Sequence, residues 1–279
     1  MADPAINRAL HEFASVVVAG ATRTRINIEA RVAARSASTA TEAQYGGELF
    51  EAASRYLQDV ASNTGRARFR HTVRPRGFTA SVRLVAKLER LTVSPTESPS
   101  GRAIRAYLEA RRYGIPTHRI AQGVLVVPRS SQVYLRGRHK QAVRTNLHRA
   151  WDERLSCGQV TSFSERVEFA DLIDPERADW WRRLLMEHPE SAWWAVFDAE
   201  RRPIGLGVVS VDSQVALIWA LVSRNHLATW LLHTEIVGEM ATRGVTCVLV
   251  RARTAPVLEP GLQYFQRLLG YQVAHLKLR

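Results

Sequence analysis

Lysine is nearly missing from this 279-residue chain: Lys87, Lys140 and Lys277 are the only three, and arginine supplies the rest of the 39 basic side chains. Against 26 acidic residues this leaves a formal net charge of +13. Such an excess attracts polyanions through long-range fields and counterion release, and arginine's planar fork suits phosphate. The charge points to nucleic acid or a phosphate-rich ligand; codon bias toward arginine is the plainer reading.

Cysteine is equally scarce. Cys157 and Cys247 stand far apart without metal-ligand spacing, so they suggest neither a disulfide framework nor a zinc site. No apolar run approaches the roughly 18 residues that cross a bilayer. The N-terminus, MADPAINRALHEF, lacks the basic-then-apolar order of a secretory signal. A cytoplasmic protein without a membrane partner is expected. Also missing are a Walker loop, a dinucleotide fingerprint, a zincin pair and a nucleophile elbow, so no metal or nucleotide cofactor is implied. What the chain does have is a core, with 46% hydrophobic residues.

Apolar spacing predicts helices around Ile6, Leu10, Phe13 and Val17 and around Leu49, Ala52, Tyr56 and Val60. A basic run, RARFRHTVRPR, follows without an acidic residue. Phe78 to Leu91 reads as a further helix, SPTESPSG as a breaker-rich loop, and Arg102 to Tyr113 as a helix stopped by Gly114. Residues 1–120 are thus expected to be a mainly helical region and residues 121–279 a second domain.

That second part alternates regularly. GVLVV is a strand candidate. His139 to Leu155 is a helix with Val143, Leu147, Ala150 and Trp151 in its apolar stripe, and Pro175 to Glu187 is a helix capped by Asp174. WWAVFDA, PIGLGVVSV and VALIWALV are strands joined by short polar turns, hence antiparallel neighbours. A helix from Leu227 to Thr242, the strand VTCVLV, a helix from Pro260 to Leu269 and the strand YQVAHLKL complete the order β-α-α-β-β-β-α-β-α-β. The strand-helix-strand step across 215–250 demands a parallel crossover, so the expected fold is α/β with a mixed sheet.

This order, with the segments YLRGRHKQAVRTNLHRAWDE, WLLHTEIVGEMATRGV and GLQYFQRLLGY, resembles the GNAT superfamily of N-acyltransferases, and within it the Fem-type (FemABX-like) branch, over roughly residues 124–279. An ordinary GNAT enzyme binds the pyrophosphate of coenzyme A on a loop of the form R/Q-x-x-G-x-G/A, where small residues let backbone N–H groups approach phosphate. Here that stretch is Arg224-Asn225-His226-Leu227-Ala228-Thr229, with Leu227 and Thr229 in place of the small residues. The tyrosine that many of these enzymes use as general acid falls on Gln266, and Tyr264 lies two residues earlier. Fem-type enzymes take aminoacyl-tRNA and do not need the pyrophosphate loop. The resemblance therefore implies transfer of an aminoacyl or acyl group, from aminoacyl-tRNA or acyl-CoA, to an amine acceptor.

Catalysis of that transfer asks for a proton acceptor and an oxyanion donor. His226, His233, Glu235 and Tyr264 are the candidate catalytic groups, Ser223, Arg224 and Asn225 the candidate donor-binding groups, and Arg136, Arg138, Lys140, Arg144 and Arg149 the candidate tRNA contacts. For each, a plainer structural role competes: a hydrogen-bonded histidine, a helix cap, a solvated basic face. The tryptophans Trp180, Trp181, Trp193, Trp194, Trp219 and Trp230 read mostly as core. The alternative function is a catalytically degenerate GNAT-fold module that binds nucleic acid or a protein. A further reading has the N-terminal helices pair the chain into a homodimer.

Overall fold

The computed structural model describes residues 88–111, 116–120, 122–251, 265–266 and 268–279. The helices expected before residue 61, the basic run at 66–76 and Tyr264 lie outside these residues.

The chain begins with β1 (Glu89–Val93), α1 (Pro99–Glu109), the short α2 (Thr117–Ile120) and β2 (Gln122–Val126). Next come α3 (Ser131–Tyr134), a 3-10 turn (Arg138–Lys140) and α4 (Gln141–Asp152). The core then runs through β3 (Ser156–Val160), α5 (Phe163–Ile173), a second 3-10 turn (Pro175–Arg177), α6 (Ala178–Glu187), β4 (Ala192–Phe197), β5 (Pro203–Asp212) and β6 (Val215–Ser223). It closes with α7 (His226–Thr242), β7 (Cys247–Val250), helical residues at 265–266 and 268–269, and β8 (Gln272–Leu278).

The eight strands among the described residues form one mixed sheet in the order β1-β8-β2-β7-β6-β5-β4-β3. The three strands β4, β5 and β6 are antiparallel neighbours, as the short turns require, and β6 and β7 pair in parallel. The mixed α/β sheet with its parallel crossover is thus as expected.

Period-two alternation sorts the strands between two cores. Val215 and Leu217 of β6, Leu249 of β7 and Ala195 of β4 pack with α1, α5 and α6 on one face. Ala216 and Ile218, Val248, and Trp194 with Val196 pack with α3, α4 and α7 on the other. With helices on both faces, β6 is apolar over most of its length, which is why VALIWALV shows no alternation in sequence.

Several expectations are corrected. The strand GVLVV does not open the core; as β2 it lies between β7 and β8, antiparallel to both. The outer strand at the other edge is β3, SCGQV, whose small and polar residues suit an edge and gave no strand signal. A strand replaces the end of the helix expected at Phe78 to Leu91: Leu91 and Val93 alternate into the core, and β1 runs parallel to β8. α5 was not expected, although Ser162 caps it by accepting from the N–H of Glu165 at 3.4 Å. Asp174 does stand at the N-cap of the 3-10 turn that leads into α6, with Pro175 first in that turn, but its side chain makes no capping bond; the carboxylate instead accepts from Arg177 Nε at 2.7 Å and Trp181 Nε1 at 3.0 Å. Trp151, placed in the apolar stripe of α4, is 51% exposed.

The β1–α1 connection, within the region 1–120, is pinned to the sheet by one carboxylate. Asp212, at the end of β5, accepts from the N–H of Thr96 at 2.6 Å, from its hydroxyl at 2.5 Å and from the Ser98 hydroxyl at 2.7 Å. Ser98 in turn caps α1 through the N–H of Gly101 at 2.9 Å. Gly101 is required here, because a Cβ would lie 2.2 Å from the Thr96 carbonyl oxygen and 2.8 Å from Asp212.

Candidate functional site

The sheet opens between β6 and β7. Their parallel pairing covers only Val215–Ile218 against Cys247–Val250, with one more bond from the N–H of Arg251 to Ile218 O at 2.9 Å. β6 then continues to Ser223, bonded to β5 alone; among the described residues no strand pairs with the other edge of Ala220–Ser223. The register shifts between Val208 and Val209, so that Trp219 is the extra residue of a β-bulge. A bulge re-aims side chains and bends the strand, and here Trp219 and Ala220 both turn to the face of α1, α5 and α6.

Trp219 is fixed in place. Its Nε1 donates to Ser210 Oγ at 2.7 Å, and that hydroxyl lies 2.8 Å from Ser191 Oγ. His188, just after α6, stacks on the indole with centroids 4.1 Å apart and planes 15° apart, and Tyr107 of α1 meets it edge-on at 5.8 Å. The guanidinium of Arg251 sits 5.7 Å from the Trp219 ring and 5.5 Å from that of Trp180. Buried Gln122 ties this floor to the split, donating to Val250 O at 2.5 Å and accepting from the Tyr107 hydroxyl at 3.2 Å. Burial lowers the pKa of His188, the positive charge of Arg251 lowers it further, and Glu187 and Glu190 act the other way. The imidazole is therefore neutral near pH 7.

On the opposite lip stands the N-terminus of α7, with all three candidate donor-binding residues engaged by the protein. Ser223 Oγ donates to Asn225 O at 2.7 Å and lies 2.5 Å from Thr229 Oγ1. Asn225 is the N-cap, accepting from the N–H of Leu227 at 2.8 Å, and its amide donates to Glu153 at 3.1 Å. Arg224 donates to the carbonyl of Leu172. Leu227 does not stand over the first turn of the helix as its place in the loop suggested; its side chain is 2% exposed and belongs to the core. What occupies the helix terminus is the Asn225 cap.

The candidate catalytic groups are not brought together. His226 is exposed on the first turn of α7, whereas His233 is completely buried, its Nε2 2.9 Å from the Tyr271 hydroxyl. Seven residues put them on one side of the helix, yet beyond the first turn that side packs into the core, which separates a wet histidine from a dry one. Burial, with Lys140 adding positive charge, drives the His233 pKa from 6.5 to about 3. Glu235 faces outward on α7 near Cys157 of β3. Its carboxyl is raised by partial burial; burial first, and then the Glu235 charge, push Cys157 up to about 12.

Of the candidate tRNA contacts, Arg136, Arg138 and Arg149 are exposed, and Arg144 is half-buried with bonds to Leu135 O and Gly137 O at 2.6 and 2.9 Å. Lys140 is not on that surface. It is 4% exposed and donates to Leu269 O at 2.5 Å, where it neutralises the end of the last helix, and burial lowers its pKa to about 8.

Tyr107, His188 and Arg251 carry no local sequence signal, and Trp219 looks like any core tryptophan; only the bulge and the split bring the four together. No group of three or more His, Cys, Asp or Glu side chains among the described residues could hold a metal.

No protein-family model and no curated protein matches the chain. Among solved structures, L-PGS from Bacillus licheniformis is similar at 10% identity and a TM-score of 0.42, over 55% of this chain and 57% of that one. The C-terminal domain of a putative lysylphosphatidylglycerol synthetase from Agrobacterium fabrum is similar at 10% identity and a TM-score of 0.37, over 55% and 57%. A putative acetyl transferase from Pyrococcus furiosus is similar at 12% identity and a TM-score of 0.33, over 45% of this chain and 97% of that one. The chain spans less than three fifths of the length of the first two.

Proposed function

We propose that the protein is an N-acyltransferase that moves an aminoacyl or acyl group from an activated ester or thioester to an amine. The observation that carries this reading is the split between β6 and β7 with the bulge at Trp219. The edge of Ala220–Ser223, which no strand among the described residues pairs with, offers backbone N–H and C=O groups to an extended acyl chain lying in the place of a strand. The first turn of α7 closes one end of that track, and its positive dipole end favours a carbonyl oxygen that gains negative charge. An ester already activated needs chiefly to be held against the amine, so positioning does most of the work.

Two features support aminoacyl-tRNA as the donor over acyl-CoA. The Asn225 cap and the bond from Arg224 to Leu172 leave the helix terminus a poor pyrophosphate cradle. The exposed Arg136, Arg138 and Arg149 offer a basic face to RNA phosphates. Incubating the protein with a charged tRNA pool, or with acyl-CoAs, and a panel of amines tests the proposal: amide product is expected, and its absence with every donor rejects it. The same engaged helix terminus favours, as second reading, a binding module without turnover. That reading expects RNA affinity that falls steeply with salt, and salt-independent binding or none rejects it.

A further inference from the structure

Trp219, His188, Tyr107 and Arg251 form a set of side chains that packing alone does not explain. Arg251 is exposed, stacks near two indoles and makes no ion pair with a carboxylate among the described residues. Other arginines nearby are paired: Arg177 with Asp174 at 2.6 Å and Arg182 with Asp171 at 3.1 Å. His188 is held flat on Trp219, yet its buried Nδ1 has no hydrogen-bond partner. Its Nε2 makes no hydrogen bond among the described residues, and the residue is half-buried. Three independent segments, the end of α1, the turn after α6 and the residue after β7, thus converge on one bulged tryptophan.

We propose that this cluster is the acceptor pocket, and that it takes a small molecule bearing both an amine and a carboxylate, an amino acid or the N-terminus of a short peptide. Arg251 binds the carboxylate through its planar fork. The buried Trp219 ring, with Tyr107 packed edge-on against it, holds the stacked His188 imidazole in place beside Arg251, and His188 Nε2 takes the ammonium proton. The binding half stands alone; the transfer half rests on the acyltransferase reading. In the transfer, the ammonium gives one proton to His188, which passes it to solvent. The free amine nitrogen bonds to the acyl carbon, the ester C–O or thioester C–S bond breaks, and the second N–H proton ends on the departing oxygen or sulfur.

The test is a binding titration of the full chain with glycylglycine, followed at the Trp219 indole N–H by NMR, with Trp219→Phe to assign the signal. Glycylglycine amide lacks the carboxylate and N-acetylglycylglycine lacks the amine, and each is expected to bind at least tenfold more weakly. In Arg251→Gln the preference for glycylglycine over its amide disappears; Arg251 is exposed, and an unchanged melting temperature checks the fold. Wild-type affinity falls as His188 becomes protonated between neutral and acid pH, against Glu187 and Glu190, which favour the charged ring; in His188→Gln that fall is lost. No Trp219 response to glycylglycine, or a preference for the carboxylate that survives Arg251→Gln, overturns the pocket. Acyl transfer is scored separately. Binding without transfer from any donor supports the pocket and rejects the transferase, whereas transfer to amines without this binding rejects the pocket and keeps the transferase.

Discussion

Acid should destabilise this protein through His233. The imidazole is wholly buried, its Nδ1 has no partner, and its Nε2 meets only the Tyr271 hydroxyl. Burial holds its folded pKa at about 3, against 6.5 in an open chain, with Lys140 contributing in the same direction. The folded ring resists a proton that the unfolded ring accepts, so the unfolded state binds more protons between these two values. Stability is therefore complete above pH 6.5 and is lost as pH falls toward 3, at up to about 1.4 kcal/mol per pH unit. Over the whole window the loss comes to roughly 4 to 5 kcal/mol, a large part of the ~5–15 kcal/mol that holds an ordinary domain together. His233→Gln is the control, because its amide replaces the imidazole in the bond to Tyr271 and does not titrate. Urea unfolding of both proteins from about pH 7 to 3.5 should show wild type losing several kcal/mol relative to the variant. A difference that stays flat across that range refutes the burial argument.

Lys140 moves stability at the other end. Its folded pKa of about 8 lies below the ordinary 10.5, so stability relative to Lys140→Met should rise as pH climbs from 8 toward 10.5, by up to about 3 kcal/mol in denaturant titrations. Gly101→Ala forces a Cβ against the Thr96 carbonyl and Asp212 and should cost upwards of about 2 kcal/mol in unfolding free energy. Gly270→Ala should cost about 1 to 2 kcal/mol, because the residue sits at φ +90° and a Cβ would lie 2.6 Å from Lys140 Nζ. If the basic face carries RNA, replacing Arg138 and Arg149 with Ala should lower tRNA affinity and flatten its salt dependence while leaving the melting temperature within about 2 °C.

Much of the core was legible because local rules are strict there. Short polar turns made β4, β5 and β6 antiparallel neighbours, and the length of α7 between β6 and β7 required a parallel crossover. The edges were not legible. β3 has no apolar run because an edge strand with an exposed side needs none, and β1 declared itself only through Leu91 and Val93 opposite β8.

The sequence by itself determined the mixed α/β class, the order of elements from β4 through β7, the +13 charge and the missing small residues at Leu227 and Thr229. Tertiary structure decided which of two histidines on one helix is wet, because seven residues along α7 pass from an open terminus into a sealed core. It also decided that Lys140 serves a helix end and not the surface. It alone assembled Tyr107, His188, Trp219 and Arg251. Their contacts span the length of the described chain, and the bulge that aims Trp219 follows from pairing between strands, which no window along one strand contains.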